Sequence, residues 1–579
     1  MEQKYYTNER NVQIVISLLK QNGIKRVIGS PGTTNMTFLG SIQSDPFFEI
    51  YSSVDERSAA YLACGLASET GEPVVLSCTG ATASRNYLPG LTEAYYRKLP
   101  VLAITSHRGD SEIGHLKDQQ IDRRSVPADV VMASVTVPMV KDATSERFCI
   151  DEANKAIIAL KENGGGPAHI NLFTEYSKDF SVKSLPEARL IHQYTSYDKW
   201  PDLPKGKIGI YIGAHQPFTS EEEKAIDDFC ATYDAVVFMS HISGYHGKYG
   251  INFTLVCSQL NHQSPFATPD LMIHIGEISG TTSTNSGKTT WRVSPDGKIR
   301  DTFHNLAKVF KMPERIFFSH YANPVVKREQ YLKACIEEDH KIRKLIPELP
   351  FSNLWVAQEL SLKLPERSRF FMGILNSLRA WNFFPLTDGV YARCNVGGYG
   401  IDGGISTMIG ASFAHKDTLY IGVFGDLSFF YDMNVIGNRH VGNNVRILLI
   451  NNGKGAEFRL FNHPCSIFGE EADLYLAAAG HYGNKSKQLI KHYAEDLGYD
   501  YLGASNKEEF QKQMDIFVSP HIGERPIIFE VFTDSKEESR ALEIIRTIEK
   551  PSFVETAKGV ARRIVPEVVY EAVKQVVKK

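Results

Sequence analysis

An α/β protein made of three doubly wound parallel-sheet domains is the fold this sequence predicts, and three observations predict it. Short apolar runs rich in Val and Ile recur along the chain, and stretches of helical periodicity alternate with them. Those runs are apolar throughout, as in strands covered on both faces. With 579 residues the chain is too long for one hydrophobic core and calls for roughly three or four domains.

Taken in order, the first domain covers residues 1–185. VQIVISLLKQNG reads as a helix, RVIGS as a short buried strand, SAAYLACGLASETG as a second helix, and PVVLSC and PVLAITS as strands. From 190 to 345 the alternation weakens into a smaller middle domain. Its strands are KIGIYIG, DAVVFMS and DLMIHIG, and the polar stretch SGTTSTNSGKTT reads as mobile. The third domain, 350–545, resumes the alternation with RFFMGILNS, DTLYIGVFGD, VRILLINN and PIIFEVF as strands. The tail, 546–579, places basic residues around Val and Ile at near-helical spacing and reads as a surface helix. No internal repeat is visible.

Composition removes whole classes of function. A formal charge of −3 and a pI near 6.7 create no field for nucleic acid or membrane, so the expected partners are small molecules and further copies of the chain. The eight cysteines are scattered without a C-x-x-C pair, which fits a reducing cytosol. The N-terminus has no apolar signal region, and no stretch approaches the roughly 20 apolar residues of a membrane span. A cytoplasmic location is the expectation.

The densest chemical signal lies in the third domain. Gly425, Asp426, Leu427 and Ser428 follow the strand TLYIGVF directly, and VRILLI ends in Asn451 and Asn452. Parallel strands deliver their carboxyl ends to one edge, where open α/β sheets bind ligands. Asp and Asn oxygens are hard ligands of the kind Mg²⁺ takes beside phosphate, while Gly425 and Ser428 can offer N–H and hydroxyl donors to that phosphate. A diphosphate site is the reading. An ordinary strand-to-loop Asp beside an unrelated Asn-Asn turn is the alternative, and the spacing with both flanking strands weighs against it.

This pattern resembles the thiamine diphosphate signature of the pyruvate decarboxylase-like enzymes. VDERSAAYLACGLASETGEPVVLSCTGATASRNYLPGLTEAYYRKLPVLAITSHR resembles that family's pyrimidine-binding domain, and VGGYGIDGGISTMIGASFA its segment under the thiazolium ring. V-D-E-R-S-A-A, G-I-D-G-x-x-S-T and G-D-L-S are most similar to the menaquinone-pathway synthase subfamily, which joins decarboxylated 2-oxoglutarate to isochorismate. The resemblance implies a thiamine diphosphate-binding fold with pyrimidine-binding, middle and diphosphate-binding domains, and a homodimer or homotetramer. It also implies thiamine diphosphate and Mg²⁺ as cofactors.

Residue by residue, the resemblance makes Glu56 the catalytic glutamate that hydrogen-bonds the aminopyrimidine. Taken alone, Glu56 reads equally well as an acid at a helix start. Ile401 matches the bulky residue that bends the cofactor, or is a core isoleucine, and Gly400 permits close approach of the pyrimidine. Asp426, Asn452 and the carbonyl of Lys454 match the metal ligands. Ala456, Glu457 and Phe458 match diphosphate-side neighbours, and Pro31 and Asn86 pyrimidine-side ones. Arg108 and Gln119 match substrate-side residues, and Arg379 stands near another at a shifted spacing.

Two arginines of the subfamily are missing. Its S-P-G-S-R appears as Ser30-Pro31-Gly32-Thr33-Thr34, and its N-R-G as Asn395-Val396-Gly397. Guanidinium forks grip carboxylates, so the substitutions at Thr34 and Val396 predict a changed donor, acceptor or both, with Thr33 and Thr34 carried as substrate-side residues. The expected activity is a carboligase or decarboxylase acting on a 2-oxo acid, with the acyl unit passed to an unidentified acceptor. The alternatives are the menaquinone-pathway reaction itself, simple decarboxylation, or a non-catalytic cofactor-binding relative. That last would have lost Glu56, Asp426 or Asn452, and all are present. A dinucleotide-binding dehydrogenase would carry G-x-G-x-x-G after its first strand, where SPGTTN stands instead.

Overall fold

The computed structural model describes residues 5–281, 284, 286–323, 325, 327–481 and 486–549. The strands, in chain order, are β1 (Arg26–Gly29), β2 (Glu49–Ser52), β3 (Val74–Thr79), β4 (Val101–His107), β5 (Ala133–Val137), β6 (Ala168–Phe173), β7 (His192–Tyr194), β8 (Ile208–Ile212), β9 (Val236–Met239), β10 (Gly250–Ile251), β11 (Leu271–Ile275), β12 (Thr289–Ser294), β13 (Leu306–Lys311), β14 (Arg369–Met372), β15 (Tyr391–Cys394), β16 (Tyr420–Gly425), β17 (Val445–Asn451), β18 (Asp500–Ala504) and β19 (Ile527–Phe532). They form three parallel-sheet α/β domains, the organisation that the alternation of patterns predicts.

The chain divides into two compact units. The first takes the described residues up to Lys199 with Asp296–Lys311. Its main sheet runs β2-β1-β3-β4-β6-β5, and β13 pairs in parallel with β7. Alternation along buried strands supplies a core to each face. Val75, Leu102 and Ile104 pack under the helices Arg10–Gln21 and Ala143–Ala159, while Val74, Leu76, Val101 and Ala103 pack under Glu56–Thr70 and Leu88–Tyr96. Asp55 starts Glu56–Thr70 by accepting from the N–H groups of Arg57 and Ser58, and Gly71 ends it in the left-handed conformation.

The second unit comprises Trp200–Pro295 and the described residues from Met312 onward. Within it β10-β9-β8-β11-β12 lie side by side in parallel, and the last sheet runs β15-β14-β16-β17-β19-β18. Counted from its own first strand, that order repeats the order of the first sheet, although the sequence shows no repeat. In both sheets the chain leaves the first strand to one side for the second and returns to the other side for the third. The reversals, between β1 and β3 and between β14 and β16, are topological switch points.

Of the stretch SGTTSTNSGKTT, residues 282, 283 and 285 lie outside the described residues, and its last two threonines open β12. The tail helix expected over 546–579 lies outside them from 550 on; the helix Ser535–Arg546 ends where that stretch begins.

Candidate active site

At the switch point of the last sheet is an open cleft with a cavity of ≈ 130 Å³. The ends of β14 and β16 wall it with Gly373 and Gly425, and the turn after β17 contributes Asn452, Lys454 and Gly455. Every cofactor-side residue expected from the third domain lines this cleft except Gly400: Ile401, Gly425, Asp426, Leu427, Ser428, Asn452, Lys454, Ala456, Glu457 and Phe458. The parallel pairing of β16 with β17, Gly425 opposite Ile450, brings residues distant in sequence to one edge.

Asp426 opens the helix Asp426–Asp432 and is buried. Burial pushes its carboxyl up to about 7 against the pull of the N–H groups of Leu427 and Gly453, and Glu530 adds to the rise. Asn452 Oδ1 is buried without a hydrogen-bond partner. Its neighbour Asn451 is engaged elsewhere: its Nδ2 donates to Glu530 Oε1 (2.6 Å) and its Oδ1 accepts from the Gly453 N–H (3.2 Å). A buried carboxylate and an orphaned amide oxygen at one edge are what a hard cation would satisfy, so the residues present fit Mg²⁺ beside a diphosphate. Among the described residues no group of three His, Cys, Asp or Glu could hold a metal; the donor set here is one carboxylate, one amide oxygen and one carbonyl.

Other contacts shape the cleft. Ser428 Oγ donates to the Ile401 carbonyl (2.6 Å), so its hydroxyl, read from sequence as a phosphate donor, anchors the loop that carries Ile401. Ile401 is half-buried and absent from the core. Lys454 Nζ pairs with Asp473 (2.6 Å), which also holds Arg459 (2.7 Å). Burial would raise the Asp473 carboxyl, but its hydrogen bonds and charge pairs with Lys454 and Arg459 outweigh that and hold it below the usual range. Arg379 pairs with Glu457 (2.5 Å) beside the cleft rather than lining it.

Leu375 and Glu538, which line the cleft, and Asp432, which supports a helix near it, carry no local sequence signal. Leu375 sits at φ 68°, a conformation costly for a branched side chain, where β14 passes into the helix Asn376–Trp381. Glu538 accepts from the Asn353 N–H (3.0 Å) and from Thr533 Oγ1 (2.7 Å). Asp432 accepts from the Ser406 N–H (2.6 Å) and so anchors the first turn of Gly404–Ser412.

The remaining sequence-read candidates belong to the first unit. Glu56 is half-buried at the first turn of its helix, and the capping role weighed for it is filled by Asp55. Pro31, Thr33 and Asn86 are exposed. A side chain on Gly32 would meet Thr79 Cγ2 at 1.8 Å, so the turn after β1 needs glycine to pass the end of β3. Thr34 is buried and its Oγ1 donates to the Ser106 carbonyl (2.6 Å). Arg108 pairs with Asp118 (3.4 Å), and the exposed Gln119 adopts φ 58°. In the second unit Val396 is buried against Gly280.

A doubly wound sheet whose switch-point cleft combines a buried Asp, an orphan Asn oxygen and a Gly-led helix start defines an α/β enzyme with a diphosphate cofactor site. Comparison with known proteins makes this specific. The thiamine pyrophosphate enzyme N-terminal TPP-binding domain matches residues 10–126. The chain is 30% identical over 562 residues to the 2-succinyl-5-enolpyruvyl-6-hydroxy-3-cyclohexene-1-carboxylate synthase of Bacteroides fragilis, covering 93% of this chain and 98% of that protein. The like-named proteins of Bacteroides thetaiotaomicron (30% over 565 residues, 93% and 98% covered) and Flavobacterium psychrophilum (27% over 551 residues, 90% and 96%) are similar over almost their whole length. The chain therefore belongs to the family of thiamine pyrophosphate-dependent enzymes.

Proposed function

We propose that the protein is a thiamine diphosphate- and Mg²⁺-dependent synthase that removes CO₂ from a 2-oxo acid and passes the remaining acyl unit to an acceptor. The observation that carries this reading is kinship over nearly full length with proteins named as synthases. It favours the relatives' own reaction as the first to test, ahead of an unrelated ligation or simple decarboxylation. When bound, thiamine diphosphate supplies a nucleophilic carbon and an electron sink for the decarboxylation.

The chain's own residues divide the remaining work. The Asp426 carboxylate, Asn452 Oδ1 and the Lys454 carbonyl would hold Mg²⁺ against the diphosphate, and Ile401 would bear on the ring system. Glu56 would hold a proton at the aminopyrimidine. The assembly is a homodimer or homotetramer, working in the cytosol on small molecules.

A second reading, a different donor or acceptor, is favoured by one observation. Thr34 and Val396 bring no charge where the subfamily has arginines, Thr34 is committed to a backbone carbonyl, and Val396 packs inward. Truncating one partner of a desolvated charge pair costs about 2–5 kcal/mol.

Incubation with 2-oxoglutarate and isochorismate, beside a panel of 2-oxo acids and acceptors, separates the two. Efficient formation of the coupled succinyl product supports the relatives' reaction and removes the second reading. Acceptor-dependent CO₂ release from another 2-oxo acid does the reverse. No CO₂ from any 2-oxo acid in the presence of both cofactors would sink the proposal altogether.

A further inference from the structure

Strand β14 and the edge strand β15 carry two arginines, Arg369 and Arg393, with which no acid among the described residues forms an ion pair. The parallel register sets Arg369 opposite Tyr391 and Phe371 opposite Arg393, and residues paired across strands or two apart along them share a face. Deeper in the sheet that face is apolar, with Phe371 and Tyr420 in the core. At its β15 edge Arg369, Tyr391 and Arg393 are half-buried. The Arg369 guanidinium stacks on the Tyr391 ring, 4.4 Å from its centroid, and His246 meets the same ring at a steep angle (62°, centroids 4.7 Å apart).

The donors and charges of the pair are largely unspent. Arg369 Nη1 is buried without a hydrogen-bond partner, and among the described residues only Nη1 of Arg393 reaches a protein acceptor, the Ala392 carbonyl (3.0 Å). Burial and the Arg369 charge both lower the Arg393 guanidinium, opposed by Tyr391 and by no carboxylate. Two acids stand on the far side, at His246. Glu223 accepts from the His246 backbone N–H (2.9 Å), and both Glu223 and Asp388 pull its imidazole up. Burial and the Arg393 charge outweigh them and hold the ring below its ordinary value, so it is neutral at pH 7 and the cluster keeps the two guanidinium charges. Like charges held half-buried on one face repel, and an anion set between them would remove that cost.

We propose that Arg369 and Arg393 form a binding site for a phosphate dianion, with Tyr391 holding the Arg369 fork in place. Two guanidinium charges without a counter-ion match a dianion, and planar forks suit the several oxygens of one phosphate group. The site stands on the sheet edge, and none of its residues lines the diphosphate cleft.

The test titrates the full-length protein with inorganic phosphate at ionic strength held constant with NaCl, following melting temperature and binding heat. Thiamine diphosphate and Mg²⁺ are present throughout, so that phosphate does not compete for the diphosphate cleft. A saturable rise in Tm is expected at about 1–10 mM phosphate, and none with acetate. Arg369→Leu and Arg393→Leu should each weaken phosphate binding about tenfold or more. Arg525→Gln, which alters an exposed arginine beside Asp500 (3.8 Å), should leave it unchanged. Arg369→Leu also removes the stack on Tyr391, so Arg393→Leu keeps the test decisive if the first variant does not fold. No saturable response in the unmodified protein, an equal response to acetate, or undiminished binding in Arg393→Leu overturns the proposal. A parallel titration with glycerol 3-phosphate assigns the source: binding tighter than that of inorganic phosphate marks a phosphorylated metabolite, and equal or weaker binding marks free phosphate.

Discussion

At the end of β17 the alternation of the strand sends two adjacent asparagine side chains to different duties. Asn451 reaches the buried Glu530, itself held by the Tyr501 hydroxyl (2.8 Å), whereas Asn452 keeps a buried oxygen unspent at the cleft. Asn452→Ala should leave the melting temperature of the cofactor-free protein unchanged or slightly raised, while weakening joint binding of thiamine diphosphate and Mg²⁺ at least tenfold. Asn451→Ala strips a hydrogen bond from a buried carboxyl and should destabilise the fold by about 1–3 kcal/mol. Melting curves and cofactor titrations on the two variants check both; equal losses of affinity would refute the division of labour. Glu538 offers a test by pH. Burial pushes its carboxyl up to about 7 from 4.5, with Asp534 adding to the rise, so the folded state holds this proton more tightly than the unfolded chain does. Its contribution to stability is therefore complete below about pH 4.5 and is lost as pH rises through 7. Glu538→Gln keeps the shape and removes the titration. It should be more stable than the parent at pH 8 by roughly 3 kcal/mol and lose that advantage below pH 4.5, as urea melts at the two pH values would record.

In the segment that follows the metal-side turn, Lys454 and Arg459 converge on Asp473, and the Gly455 N–H donates to the Ala477 carbonyl (2.6 Å). Asp473→Ala releases both cations and leaves the segment to the Gly455 backbone bond, the Phe461 N–H donating to Ser539 Oγ (2.9 Å) and the Arg379–Glu457 and Lys536–Glu470 pairs. Faster limited proteolysis between Leu460 and Tyr475 is expected, with cofactor affinity several-fold weaker; an unchanged cleavage pattern would show that the ion pairs hold nothing. This clip also marks the limit of what sequence reading could find. Asp426 and Asn452 were legible because each ends an apolar strand within a short motif, and parallel pairing does the rest. Asp473, Asp432 and Glu538 were not, because each acts on a loop removed from it along the chain through tertiary contacts that leave no local pattern. Leu375 was invisible for another reason. Its strain lies in a backbone angle, and nothing in ILNS announces that a leucine will stand at positive φ.

For the molecule as a whole, the three-sheet organisation was readable from the alternation of patterns, whereas the identical strand order of the first and last sheets was not, since their sequences share no visible repeat. The first unit exposes Tyr51, Val54, Tyr61 and Leu62 on the strand, turn and helix that bracket Glu56. Apolar surface of that kind favours association, and the homodimer or homotetramer proposed above would cover it. Light scattering should return a mass of twice or four times 64.9 kDa, and Val54→Asp with Leu62→Asp should shift it toward the monomer and lower turnover together. A monomeric protein with full activity would contradict this. The two sheets are wired alike, and each carries its own switch-point edge. The turn at Thr34 after β1 and the pair Asp426 and Asn452 after β16 and β17 therefore stand on different edges, so the chemistry offered at one can be altered while the wiring of the other stays as it is.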